Sequence, residues 1–216
     1  LKGLPEGWES CLTGDIAKVV GGGTPDAANS ENFSSHDGIP WLTPADLSDF
    51  SGIYVSRGKR FLTVKGYESS SAKLMPRGAV LFSSRAPIGY VAVAANEIST
   101  NQGFKSFVCE VGILPEYLFF YLKYAKPLAE ELASGTTFAE ISGKNAALIP
   151  VVLPPLNEQR RIVAKLEELL AKVDTSQQRL AKIPVILKRF RQAVLAAACS
   201  GRLTADWREE DPTNKI

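Results

Sequence analysis

From Leu156 onward, apolar side chains recur every three or four residues, and no other feature so narrows what this 216-residue chain can fold into. Val163, Leu166, Leu170, Val173 and Leu180 lie on one such series. Ile162, Leu166, Leu169, Val173, Leu180 and Ile183 lie on a second. Steps of three and four place side chains on one face of an α-helix. Two interleaved series make the apolar stripe wider than the two-position seam of a strict coiled coil. The spacing predicts a helix over 156–182, roughly 40 Å long at a rise of about 1.5 Å per residue. Pro184 is expected to end or kink it. A second helix is expected from Val185 to Cys199, with Gly201 just past its end and Ile186, Phe190, Ala193, Val194 and Ala197 on its buried face. Such helices cannot bury so wide a stripe on themselves. They either pack back on the rest of the chain or pair with a helix of the parent chain or of a partner.

The residues before Pro154-Pro155 have a different texture. Ile53–Val55, Arg60–Val64, Ala79–Phe82, Gly89–Val93 and Phe104–Val108 are short apolar or β-branched runs. Runs of this length, bounded by turn residues, read as strands. Pro115–Tyr124 reads as a helix with proline in its first turn, and a short helix is expected from Lys126 to Ala133. The expected class is α+β: a mixed globular domain over 1–154, then a helical region over 155–216.

Charge is spread unevenly. The net charge is only +2. Yet residues 57–85 carry seven basic side chains, Arg57, Lys59, Arg60, Lys65, Lys73, Arg77 and Arg85, against the single acid Glu68. Residues 1–56 carry eight acids and two bases. A basic island in acidic surroundings is the pattern of an anion-facing surface, although solvated surface charge gives the same counts.

Several chemistries have no signature here. His36 is the only histidine and lies in a Ser-Ser-His-Asp-Gly loop, with no Gly-x-Ser-x-Gly elbow for a hydrolase. Cys11, Cys109 and Cys199 are widely spaced and form no C-x-x-C, so free thiols of a cytoplasmic protein are expected rather than disulfides or a zinc site. Gly21-Gly22-Gly23-Thr24-Pro25 lacks the Lys-Ser/Thr of a P-loop and reads as a turn permitting close backbone approach. Leu153-Pro154-Pro155-Leu156 lacks the amide and the aromatic residue of a base methyltransferase motif. No apolar run nears the ~20 residues that span a bilayer, so no membrane partner is expected. The chain reads as a recognition or scaffolding component rather than a catalyst.

Ordered strings then narrow the choice. They are Leu4-Pro5-Glu6-Gly7-Trp8, Gly22-Gly23-Thr24-Pro25, Ile39-Pro40-Trp41-Leu42-Thr43-Pro44-Ala45-Asp46-Leu47, Leu81 to Gly89, and Ser99-Thr100-Asn101-Gln102-Gly103-Phe104. The strongest is Leu153-Pro154-Pro155-Leu156-Asn157-Glu158-Gln159-Arg160-Arg161-Ile162-Val163, followed by Lys188 to Leu195 and Gly201-Arg202-Leu203-Thr204. Together they resemble the specificity (S) subunit of type I restriction-modification enzymes. The resemblance implies a target recognition domain that reads one part of a split double-stranded DNA site. It implies a helical conserved region that acts as a spacer and docks modification (M) subunits, with the restriction (R) subunit joining the assembly. S-adenosylmethionine, ATP and Mg are then held by the partner subunits, and this chain holds no cofactor and no metal. The family's chain is about twice as long, so a half is expected: either the N-terminal half of a longer chain, or a short form that pairs as a homodimer and reads a gapped palindrome.

On this reading the DNA-facing candidates are Arg57, Lys59, Arg60, Lys65 and Arg85 for phosphates. Thr43, Ser83, Ser84, Asn101 and Gln102 are polar candidates, with a backbone-holding role preferred for Asn101 and Gln102. Trp41 is expected in the core. The partner-helix candidates are Ile162, Val163, Leu166, Leu169, Leu170, Val173, Leu180, Phe190 and Val194. A competing reading is a coiled-coil interaction or scaffold protein with no DNA role.

Overall fold

A computed structural model describes residues 3–135 and 139–210. The chain divides into two compact units, Leu1–Ala164 and Lys165–Ile216. The first unit opens with β1 (Glu9–Leu12), α1 (Thr13–Ile16) and β2 (Ala17–Gly21). Next come β3 (Phe33–Ser34), β4 (Ile39–Leu42), β5 (Tyr54–Val55), β6 (Arg60–Leu62) and α2 (Val64–Glu68). Then follow β7 (Val80–Ser84), β8 (Ile88–Ala94), β9 (Ser99–Thr100) and β10 (Lys105–Cys109). The unit continues with α3 (Pro115–Tyr124), α4 (Lys126–Glu131), α5 (Gly143–Ala146), β11 (Pro150–Leu153) and the first turns of α6 (Leu156–Cys199). The α+β class is as expected.

A five-stranded sheet in the order β2-β10-β7-β8-β5 forms the centre. Its middle strand β7 is buried on both faces. Val80 and Phe82 enter one core with Phe107, Leu118, Phe119 and Leu122 of β10 and α3. Leu81 points the other way, into a second core with Leu42, Met75, Ile98 and Phe104. Two buried faces explain why this strand reads as a continuous apolar run rather than an alternation. A four-stranded sheet, β3-β6-β4-β9, carries a third core in which Trp41 and Leu62 are buried. Trp41 is 2% exposed, and its indole N–H donates to the Gly23 carbonyl at 3.1 Å. The glycine run beside it does permit close backbone approach. A Cβ on Gly22 would stand 2.0 Å from the Asn101 carbonyl oxygen.

Two sequence expectations change. The run Arg60–Val64 stays a strand only to Leu62. Thr63 caps α2 instead, its hydroxyl accepting from the Gly66 amide at 3.1 Å. Threonine's preference for that position outweighs its strand propensity here. The second correction concerns Pro184: α6 runs unbroken from Leu156 to Cys199, 44 residues, with the proline inside it. Proline removes one backbone bond, to the carbonyl four residues earlier. Pro184 is exposed, and so is Leu180, so the released carbonyl can be solvated. Proline in a helix interior still costs about 3 kcal/mol against alanine. Pro184→Ala is therefore expected to slow amide hydrogen exchange across residues 180–190 by at least about tenfold. Unchanged exchange would contradict that reading.

Gln159 anchors the start of α6. It is 1% exposed. Its Oε1 accepts from the Leu114 amide at 2.8 Å, and its Nε2 donates to the carbonyls of Pro154 at 3.0 Å and Gly112 at 3.2 Å. Glu158, one residue earlier, accepts from the Trp8 indole N–H at 3.0 Å. A buried amide with three partners is costly to disturb. It ties the Leu-Asn-Glu-Gln string, the α3 approach and the Pro154 turn into one joint.

Candidate nucleic-acid interface

The basic island divides by what its members touch. Arg60 begins β6, opposite Trp41 of β4. Its guanidinium lies 4.3 Å from the Phe33 ring centroid and 5.4 Å from that of Trp41. Stacking on ring faces restrains the guanidinium while leaving its N–H edges able to donate. Arg57 lies 5.8 Å from the Phe61 ring centroid. Arg57, Gly58 and Lys59, with Asp46, line an open cleft of about 370 Å³. Arg57, Lys59 and Arg60 are all exposed, and none forms an ion pair among the described residues. Among the described residues these three successive cations have no ion-pair partner; Arg57 and Lys59 share the cleft, while Arg60 lies on the Phe33–Trp41 face of β6.

The other basic candidates are engaged. Lys65 of α2 pairs with Glu31. Arg85 pairs with Glu140 at 3.2 Å, and Lys105 of β10 shares that carboxylate at 3.2 Å. An incoming phosphate must compete with those carboxylates. Sequence charge alone does not separate the two groups, because Glu31 and Glu140 are remote along the chain.

The polar candidates are held by the fold. Ser83 is buried, donating its hydroxyl to the Pro87 carbonyl at 2.7 Å and accepting from the Tyr90 amide at 2.8 Å. Ser84 is also buried, and its hydroxyl has no hydrogen-bond partner among the described residues. Thr43 donates its hydroxyl to Asp46 Oδ2 at 2.7 Å. Asn101 Oδ1 accepts from the Gly103 amide at 2.9 Å. Gln102 is exposed, and its Oε1 accepts from the Thr24 hydroxyl. Ser83, Ser84 and Asn101 thus sit in turns and strand ends, whereas Thr43 shares the Asp46 carboxylate with the Lys59 amide.

Asp46 escaped the sequence reading. It joins Thr43 in a capping box around the 3₁₀ turn Pro44–Leu47. The Thr-Pro-Ala-Asp string carries the spacing of such a box, which is the signal that could have marked it.

The helical stripe is exposed from Leu169 onward. Ile162 and Leu166 are half-buried and Val163 is buried, so Val163 is already covered. Leu169, Leu170, Val173, Leu180, Phe190 and Val194 are all exposed, Leu180 to 63% and Phe190 to 64%. Ile183, Val185, Ile186, Leu187 and Leu195 are exposed as well. The face expected around Ile186 and Phe190 is therefore uncovered in the single chain.

Burial, helped by Glu116 and Glu110, pushes the Cys109 thiol up to about 12, so it holds its proton at neutral pH. Among the described residues, no three His, Cys, Asp or Glu side chains are placed to hold a metal ion. No described helix is long and apolar enough to cross a membrane.

Residues 5–185 match the family model of the type I restriction modification DNA specificity domain. The chain belongs to that family. The specificity-domain fold extends to solved structures. The HsdS subunit from Thermoanaerobacter tengcongensis matches with a TM-score of 0.70 and 27% identity, over 91% of this chain and 46% of that one. A chain from a structure of type I R-M complex assembly and conformational transition matches with a TM-score of 0.73 and 29% identity, again over 91% and 46%. The MjaIX type I restriction enzyme specificity subunit of Methanocaldococcus jannaschii is 35% identical over 190 residues, covering 85% of this chain and 43% of that protein. The specificity-domain chain thus spans less than half the length of these relatives.

Proposed function

We propose that this chain is a DNA-recognition module of a type I restriction-modification system, non-catalytic in itself. Residues 1–154 act as the target recognition domain. Residues 155–216 act as the spacer and docking region. The module directs methyltransferase (M) and restriction (R) subunits to one part of a split target in double-stranded DNA. S-adenosylmethionine, ATP and Mg belong to those subunits, and the assembly works in the cytoplasm.

The observation that carries this reading is the coincidence of the family match with three unpaired cations on one short segment. Arg57, Lys59 and Arg60 supply charge for phosphates, and the ring-stacked Arg60 has less freedom to lose on binding. The exposed stripe of α6 pairs with a second helix, and a second copy of this chain can supply it. A two-fold pair would present two recognition domains to a symmetric, gapped site.

The direct test is retention of random duplex DNA by the chain across a salt series. Binding that weakens linearly in log–log form is the expected result. Salt-independent retention, or none at low salt, would count against a DNA role.

A further inference from the structure

Asp46 stands out because it is an acid lining the same cleft as Arg57 and Lys59. Near phosphates a carboxylate is repulsive, so a bare surface role would make it a liability. Its contacts point elsewhere. Oδ2 accepts from the Thr43 amide at 2.8 Å and from the Thr43 hydroxyl at 2.7 Å. Oδ1 accepts from the Lys59 amide at 3.1 Å. One carboxylate therefore ties the end of β4 to the loop that enters β6. Gly58, between Arg57 and Lys59, completes the fit. A Cβ there would lie 2.4 Å from the Trp41 carbonyl oxygen and 2.8 Å from Asp46 Oδ2.

We propose that Asp46 is the positioning residue for the DNA-facing segment. It holds the backbone at Lys59 so that Arg57, Lys59 and Arg60 meet the duplex in one fixed geometry. The inference rests on the DNA-binding reading above and adds a separable claim to it. Phosphate-facing cations held in register fix where the duplex lies against the groups that read its bases, and so support discrimination without reading sequence themselves. The same cations on a loose loop contribute only to general attraction.

The two roles available to Asp46 predict opposite signs. If it is only a surface charge, Asp46→Asn removes repulsion and strengthens binding to every duplex alike. If it positions the loop, Asp46→Asn loses discrimination. One amide oxygen cannot serve all three donors, and the amide NH₂ faces N–H groups. Affinity for a duplex selected on the wild-type chain from a random pool should then fall by about tenfold. Affinity for poly(dI-dC) should hold or rise. Gly58→Ala displaces the same loop without changing charge, and it should lower affinity for the selected duplex in the same way. Hydrogen exchange at the Thr43 and Lys59 amides should speed up in Asp46→Asn while the β7–β8 amides stay protected, which separates loosening of the loop from unfolding.

A variant that binds both duplexes more tightly, with unchanged exchange at Lys59, would overturn the inference and leave the DNA reading intact. A wild-type chain that retains no duplex would overturn the DNA reading itself.

Discussion

Changing Arg57, Lys59 and Arg60 together to alanine is expected to lower affinity for duplex DNA on the order of a hundredfold at low salt. Ion pairing sets these three cations apart from the other DNA-facing candidates. Lys65 and Arg85 already face carboxylates, so their charge is partly spent within the protein. The three successive cations are not so engaged. Each phosphate that a protein neutralises adds about 0.9 to the slope of log affinity against log salt. Loss of three contacts should flatten that slope by about 2.7. The fold should survive. All three side chains are exposed, and exposed cation–π contacts are worth only about 0.5–1 kcal/mol each. Lys65→Ala is the internal control. It removes a base that is already paired, and a smaller loss is expected. An unchanged slope in the triple variant, with the fold intact by circular dichroism, would place the interface elsewhere.

The second large effect concerns the helix. Leu180→Glu combined with Phe190→Glu is expected to abolish pairing of the chain with itself. Burying a leucine or phenylalanine side chain contributes about 1.5–3 kcal/mol. In a two-fold pair each position counts twice. A carboxylate placed in the seam adds a further desolvation cost. Together the changes should weaken association by at least about a thousandfold, read as a shift from dimer to monomer in sedimentation. The globular unit should unfold at the same temperature as before, because both positions lie in the second unit. A wild-type chain that is monomeric at high concentration would contradict homotypic pairing.

The helical stripe and the central strands are visible in the sequence because burial writes itself as periodicity. Val80, Leu81 and Phe82 announce a strand covered on both faces. Pro115 announces the start of α3. Other features leave no local mark. The β1–β11 pair joins Glu9–Leu12 to Pro150–Leu153, and neither segment alternates clearly. Continuity through Pro184 runs against a sound local rule, which yields because the freed carbonyl lies where water can reach it. At the site, the basic residues are legible as charge. Their division into paired and unpaired groups is not, since Glu31 and Glu140 come from distant segments. The ring faces of Phe33 and Trp41 under Arg60 are likewise a product of strand pairing. Ser83 shows the converse. Its hydroxyl looks available as a string and is consumed by its own turn.

On the function proposed above, this chain tells a methyltransferase where to act. The most direct measurement is a genome-wide map of methylated adenines in the host, with the chain present and with it deleted. One family of methylated sites, sharing a single gapped sequence, should vanish on deletion and return on complementation. A methylation map that is the same with and without the chain would contradict that function.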